Sequence, residues 1–558
     1  MTTTRWSGDD PLHRFFIARR RTALLAVTVF YFLVAAAVTY PQVRLIARAI
    51  PNMVDGYFNI WRLAWVAHQL PRHPLDLFNA NIFYPERNTL AFSDAILAPA
   101  FVTAPFFWLR INPVLIYNTL FLSAFALSGL TTFLLVDEIG GGTLGAIAAG
   151  AFFVAAPYRF DHWVHLEMQM TVFAPMALWA LHRTARTLRW SWAATLGAAV
   201  ALQTYSSIYY GIFLLPVLAV VAALLLLAAP RPPWRRLLPL LAGAGLVAAV
   251  CVLPYMRPYL AARRSVGDRP AQEVEYYSAV PQDYLSARPD STLYGGHLIA
   301  ANNEERHLFP GFLVLGCVVL ALWPPVSQTV AVYLIAAALA FESSLGLNGF
   351  VFSWLRTWVL PFQGIRVPAR FGIFVALLLA VLAGLGVNRL RKRIGFGAAA
   401  AIVAIAIAGS VIEARAPVAM VDVPSGPSVV DTWLRDQPSA AVVELPLPPR
   451  EQPFQESEGQ PLYHSIFHWQ PILNGVSGFF PDSYLELLDR MRTLPDRASV
   501  DYLRQRHVRY IVMRRYMFAN GAYEALRARI AATPGVALVG RFPERSGESV
   551  VFALDSPR

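Results

Sequence analysis

The sequence predicts an α-helical polytopic membrane protein of about eleven transmembrane helices with juxtamembrane helices, ending in a small C-terminal α/β domain. Two observations carry that expectation. Of the 558 residues, 56% are hydrophobic and only 15% charged, with a mean hydropathy of +0.45, whereas soluble domains are about one quarter charged. Span-length apolar runs recur as far as residue 413, and the composition turns soluble from about Ala416. The expected division is therefore a transmembrane domain over 1–415, holding a large external first loop at 41–112, and a C-terminal α/β domain over 416–558.

The runs fall near 22–40, 113–136, 143–157, 169–183, 191–206, 208–228, 237–256, 309–323, 326–341, 370–388 and 396–413. The first follows a basic stretch and has no small-residue cleavage site before Pro41, so it reads as a retained span rather than a cleaved signal. The run Ala95 to Leu109 contains Pro99 and Pro105 and reaches about 15 residues, short of the ~20 that cross ~30 Å of hydrocarbon. It is expected to lie half-inserted or on the outer surface.

The basic residues support that choice. Arg19, Arg20 and Arg21; Arg183, Arg186 and Arg189; Arg231, Arg235 and Arg236; and Arg389, Arg391, Lys392 and Arg393 sit in short loops between runs. With 95–109 outside the count they all share the side of the N-terminus, as the positive-inside rule requires. The N-terminus is then cytoplasmic and the C-terminal domain extracytoplasmic. This placement accounts for the net charge of +12 and leaves nucleic-acid binding without support. Cys251 and Cys317 both lie in apolar runs, so the C-terminal segment contains no disulfide.

Four substantial segments then face outward: 41–112, 158–168, 257–308 and 342–369, rich in aromatic, Asn, His and acidic residues. A first loop of this length exceeds ordinary connections and suits a functional role. It carries Asp55-Gly56, then a run from Tyr57 to Leu70 with helical periodicity, expected as an amphipathic helix on the membrane surface. Further on come Asn81 to Arg87, including Glu86 and Arg87, and then Asp94. An acid just before a helix serves equally well as a helix N-cap, so Asp55 has a structural alternative.

The second outer segment, Tyr158 to Glu167, holds His162, His165 and Glu167, which suit proton transfer or a cation, although no fixed zinc spacing is met. Tyr209 and Tyr210, between two spans, fit an interfacial belt or the flank of a lipid groove. Arg366 and Arg370 lie in Gln363 to Phe371 at the outer mouth of a span, placed for a phosphate or for lipid headgroups. The spans carry almost no ionisable residues away from their ends, which favours surface chemistry over ion-coupled transport. No internal repeat is evident either.

In the C-terminal segment, 442–445, 510–513, 536–539 and 550–553 read as strands and 484–491, 500–506 and 523–532 as amphipathic helices. His464 and His468 have i, i+4 spacing. Pro461 and Pro471 flank them and argue against a helix there.

This layout resembles the GT-C class of membrane glycosyltransferases. The resemblance rests on Asp55 shortly after the first span, on 57–70 and 95–109 as juxtamembrane helices, and on Tyr158 to Met168 as a second external loop. Asn81 to Glu86, Pro157 to His165 and Ile365 to Phe371 resemble a bacterial GT-C-like family. The resemblance implies an inverting transfer of a sugar from a polyprenyl-phosphate carrier to a lipid, glycan or protein acceptor, at the outer face of a bacterial inner membrane. It implies Asp55 as catalytic base, with Glu86, Arg87, Asp94, His162, His165, Glu167, Tyr209, Tyr210, Arg366 and Arg370 as candidate substrate contacts. It leaves a divalent cation, Mg or Mn, open, and Asp55 lacks a paired acid beside it. A flippase of lipid-linked sugars and a catalytically silent assembly subunit remain as alternatives.

Overall fold

The structure, a computed structural model, describes residues 19–227, 233–266, 269–299, 301–519, 521–544 and 547–555; Arg231 of the third basic cluster lies outside them. Each of the eleven expected runs folds as a helix: Arg20–Val38, Pro113–Glu138, Gly142–Val154, Phe173–Thr187, Trp190–Ser206, Ile208–Leu227, Trp234–Val266, Phe312–Leu322, Gln328–Ser344, Gly372–Ile394 and Phe396–Glu413. Seven helical segments among the described residues are long and apolar enough, by length and composition, to cross a membrane. The other four runs give helices of 15, 17, 11 and 17 residues. At 1.5 Å per residue the shortest covers only about 17 Å. It ends where Pro324 and Pro325 follow Trp323, and proline lacks the N–H a further turn needs.

The chain divides into two compact units. The first comprises 1–44, 119–254 and 268–418. Its centre is the helix Gly372–Ile394, nearly all of it buried among Gly142–Val154, Phe312–Leu322 and Gln328–Ser344. Small residues bring these helices together. A Cβ on Gly384 would stand 2.6 Å from the Gly145 carbonyl oxygen, and one on Gly386 would stand 2.0 Å from that of Cys317. This is the small-residue packing used where no hydrophobic force drives helices together. Glu413, at the end of the last helix, accepts the Phe312 N–H at 3.0 Å and the Tyr294 hydroxyl at 2.5 Å. It thereby satisfies a helix N-terminus that would otherwise be left unpaired.

The second unit comprises 45–118, 255–267 and 419–558, so the long first loop and the C-terminal segment are one body. Its sheet runs Ala441–Leu445, Val508–Arg514, Gly547–Leu554, Val536–Glu544 in spatial order, the first pair parallel and the others antiparallel. The helices Asp482–Arg490, Arg497–Gln505 and Ala522–Ala531 fall where amphipathic periodicity predicts them. Two expectations change. The helix expected to lie on a membrane surface, Met53–Gln69, is buried on nearly every face, packed against Leu97–Trp108 and Glu456–His468. Glu456–His468 in turn is a helix in spite of Pro461. The proline removes one backbone hydrogen bond, offset by close packing of Gly459 on the Met53 carbonyl and by Tyr463 against Tyr57, ring centroids 4.9 Å apart.

Candidate active site

In the second unit, Asn52 is the N-cap of Met53–Gln69: its Oδ1 accepts the N–H of Val54 at 2.7 Å and of Asp55 at 3.1 Å. Asp55 is therefore in the first helical turn, half-buried, and the capping role belongs to Asn52. A carboxylate there also benefits from the positive end of the helix dipole. Gly56 lets the turn close against Ile50, whose Cδ1 would be 2.7 Å from a Cβ at that position.

Asp55, Asn59 and Arg62 are spaced i, i+4, i+7 and so share one face of the helix. Asn59 and Arg62 are fully buried. The Arg62 guanidinium donates to Asn59 Oδ1 and, at 2.5 Å, to the Asp94 carbonyl, and lies 4.4 Å over the Phe58 ring. Asp94 is thus fixed through its backbone on the Asp55 helix, and the next N–H, of Ala95, donates to the Tyr259 hydroxyl at 2.9 Å.

Glu86 is anchored on the C-terminal segment by the Ser483 hydroxyl, at 2.6 Å, and Arg87 is exposed. The Phe83 and Tyr84 N–H groups donate to the Asn474 and Ile472 carbonyls. Glu458, fully buried, accepts from Tyr484 at 2.6 Å and from the Gly475 N–H at 3.3 Å. Burial pushes its carboxyl up to about 7, against those hydrogen bonds. Both ring nitrogens of His464 are engaged, Nδ1 with Asp431 and Nε2 with the Tyr516 hydroxyl, each at 2.8 Å.

In the first unit, the segments around 158–169, 269–309 and 363–371 converge on a buried polar cluster. Arg370 is bound by Glu305, with Nε 3.1 and 3.0 Å from its two oxygens and Nη2 donating as well. Its guanidinium lies 5.2 Å over the Tyr209 ring. His162 Nε2 is 3.6 Å from Glu305 Oε2, a contact too long for a hydrogen bond. Burial holds the His162 imidazole down at about 3, and therefore neutral at physiological pH. Burial alone would raise Glu305, but the Arg370 charge outweighs it and keeps the carboxyl below its usual range. His307 Nδ1 lies 3.5 Å from Asp161. Burial opposes its charge, yet the Asp161 carboxylate raises the His307 pKa above the ordinary value.

His165 and Glu167 are half-buried beside this cluster, the His165 ring 6.4 Å from that of His162. Tyr210 is buried against Phe374, while the Tyr209 hydroxyl accepts the Arg366 N–H at 3.1 Å. The Arg366 side chain is half-exposed, 3.6 Å from Glu273 and 5.3 Å over the Tyr277 ring.

Sequence reasoning passed over Asn59 and Arg62, although two polar residues on the Asp55 face of an apolar helix were a readable signal. It also passed over Glu305 and His307, within Asn303-Glu304-Glu305-Arg306-His307. Among the described residues no group of three or more His, Cys, Asp or Glu side chains is placed to hold a metal ion.

No family model and no curated protein matches this chain. Among solved structures, the chain resembles arabinofuranosyltransferase AftD from Mycobacteria at TM-score 0.62 and 15% identity, over 96% of this chain and 40% of that one. It therefore spans two fifths of the AftD chain's length. ArnT from Cupriavidus metallidurans, solved bound to undecaprenyl phosphate, matches at TM-score 0.49 and 14% identity over 97% of this chain and 99% of that one. The likeness to AftD shows a GT-C membrane fold along nearly the whole sequence.

Proposed function

We propose that this chain is an inverting membrane glycosyltransferase that moves a sugar from a polyprenyl-phosphate carrier to a lipid, glycan or protein acceptor at the outer face of the membrane. The observation that carries the reading is the division of labour at the start of Met53–Gln69. Asn52 provides the cap, so the half-buried Asp55 carboxylate is not accounted for as a helix-terminating residue. Its place on a GT-C fold supports the role of base.

In the proposed reaction the acceptor hydroxyl oxygen attacks the anomeric carbon from the face opposite the phosphate. Its proton passes to Asp55 as the new C–O bond forms. The bond from the anomeric carbon to the phosphate oxygen breaks, and the carrier leaves as polyprenyl phosphate with the electron pair. A cation near that oxygen lowers the barrier by meeting the developing charge. Within the first unit, Arg366 is better suited than Arg370 to meet a phosphate, because Glu305 already neutralises Arg370 through direct hydrogen bonds, whereas Arg366 is half-exposed with a looser acidic neighbour.

The test uses purified protein and its Asp55→Asn variant with a panel of polyprenyl-phosphate sugars, following free polyprenyl phosphate by mass spectrometry. Release by the wild type from at least one donor, reduced about 100-fold or more in the variant, is expected of a general base. Equal release by a folded Asp55→Asn protein removes Asp55 from the mechanism.

A further inference from the structure

Segment 342–369, one of the four outward-facing connections, contains a short helix, Val351–Trp358, whose exposed face is aromatic. Phe350, immediately before it, and Trp354 and Trp358 recur at i, i+4, i+8 and so stand along one side. They are 76%, 51% and 73% exposed, and Leu360 extends the patch at 56%. Phe352 and Leu355 are buried on the other side, the Phe352 ring 6.1 Å from that of Phe362. The helix is thus fixed to the first unit by one face, and a contiguous apolar patch on the other calls for a partner.

Its position identifies that partner. Glu342, in the last turn of Gln328–Ser344, accepts the N–H groups of Phe350 and Val351, the latter at 2.9 Å. The carboxylate satisfies the first N–H groups of the short helix and ties it to the end of an apolar helix. Ile335, Ala338 and Glu342 are spaced i, i+3, i+7 and share a face. Ile335 and Ala338 are exposed, and on a membrane fold an exposed apolar helix face is turned to lipid. The aromatic helix therefore starts on the lipid side of Gln328–Ser344 and at its end, where hydrocarbon gives way to headgroups.

The chemistry agrees with that place. Tryptophan combines a large apolar ring with one N–H donor and is enriched at the membrane–water interface. From Ser343 to Phe371 the chain carries Arg356, Arg366 and Arg370 and no Asp or Glu, a balance that attracts lipid phosphates. A second copy seated on the same face would form a self-complementary contact. It would bring Arg356 towards its own counterpart, with no acid in the segment to relieve the repulsion.

We infer that Val351–Trp358 is an interfacial anchor, with Phe350, Trp354, Trp358 and Leu360 immersed at the boundary between acyl chains and headgroups. The inference is independent of the transferase reading and holds equally for a flippase or a silent subunit.

The experiment uses the full chain in nanodiscs of phosphatidylcholine and phosphatidylglycerol, in a Cys251→Ala/Cys317→Ala background. A nitroxide is attached at Trp354→Cys, at Trp358→Cys or, as a solvent control, at Arg497→Cys, whose native side chain is 96% exposed. Power-saturation EPR reads collisions with oxygen, which concentrates among acyl chains, and with a nickel chelate, which stays in water. Labels at 354 and 358 are expected to favour oxygen, and the label at 497 the chelate. Preference for the chelate at 354 and 358 places the face in water and overturns the inference. Poor access to both reagents overturns it as well, because protein then covers the face. A second measurement needs no label: in nanodiscs of brominated lipid the wild type is expected to lose a larger fraction of its tryptophan emission than Trp354→Phe/Trp358→Phe. Equal fractional quenching of the two proteins also overturns the inference.

Discussion

Asn52 and Asp55 are three positions apart, and both residue types cap helices well. Only the φ/ψ path of the chain decides which of them does so: Asn52 stands in extended backbone (φ −160°, ψ 144°) and Asp55 already in the first helical turn. The arginines present the same problem. Arg366 and Arg370 look equivalent in sequence, but Arg370 forms a buried pair with Glu305 and Arg366 does not. Arg370→Gln is expected to leave Glu305 as an unpaired buried charge and cost about 3–5 kcal/mol of stability, read by thermal or denaturant unfolding. Arg366→Ala is expected to leave stability within about 0.5 kcal/mol, as most changes at exposed positions do, while lowering kcat with the donor, as loss of an interaction made in the transition state does. A large stability loss in Arg366→Ala would assign that residue to structure instead.

Glu458 gives a pH-dependent case. Its folded-state value of about 7 lies above the ordinary carboxyl value because burial penalises the charged form. The folded state therefore holds the proton more tightly than the unfolded state does. This favourable difference is fully present below the unfolded carboxyl pKa and is lost as pH rises to about 7. Wild-type Tm should fall between pH 5 and 8, on the order of 3 kcal/mol at most if the whole shift is expressed. In Glu458→Gln, which keeps an acceptor oxygen for Tyr484, the slope should flatten. An unchanged slope would place the dependence elsewhere.

Among the elements, Glu456–His468 and Met53–Gln69 pack along a seam with Gly459 close to the Met53 carbonyl, next to the turn bearing Asp55. A Cβ on Gly459 would stand 2.6 Å from the Met53 oxygen and 3.0 Å from Val54 Cα, both backbone atoms that cannot rotate away. Gly459→Ala is expected to cost about 1–3 kcal/mol as overpacking and to lower donor turnover by displacing Asp55. Gly426→Ala, with open space around its Cβ, serves as the control and should do neither. Apolar runs located the long helices because their signal is local, and alternation located the four C-terminal strands for the same reason. The long-range pairings were not legible. Nothing near Tyr57 or Ile60 announces that a helix some 400 residues later covers them, so the periodicity read as a membrane-facing surface. Pro461 misled for the same reason: local propensity opposes the helix, and tertiary packing overrides it. Asp55, His162, Arg366 and Arg370 were visible as residue types in outer segments, but Glu305, the partner that separates the roles of the two arginines, is encoded 61 and 65 positions before them.

For the molecule as a whole, charge distribution is the argument that reaches beyond individual contacts. The described spans carry their arginines at particular ends. Arg183 and Arg186 pair with Glu138, and Arg389 donates to the Trp323 and Pro325 carbonyls, so two of the basic clusters are each tied to a neighbouring helix end or turn of the first unit. Positive loops are retained in the cytoplasm. The eleven apolar runs and the seven segments that meet the length and composition criteria are both odd counts, and an odd number of crossings puts the two chain ends on opposite sides. A C-terminal alkaline phosphatase fusion should therefore be active in a bacterial host and a C-terminal green fluorescent protein fusion dark, because the first folds only outside the cytoplasm and the second only within it. With all eleven runs crossing, four precede Arg189, so fusions after it should show the opposite pattern; with only the seven long segments crossing, three precede it and the pattern is that of the C-terminus. A bright fluorescent C-terminal fusion with an inactive phosphatase fusion would mean an even number of crossings. It would move the domain that packs on Asp55 to the cytoplasmic side, and with it the base assigned to an outer-face reaction.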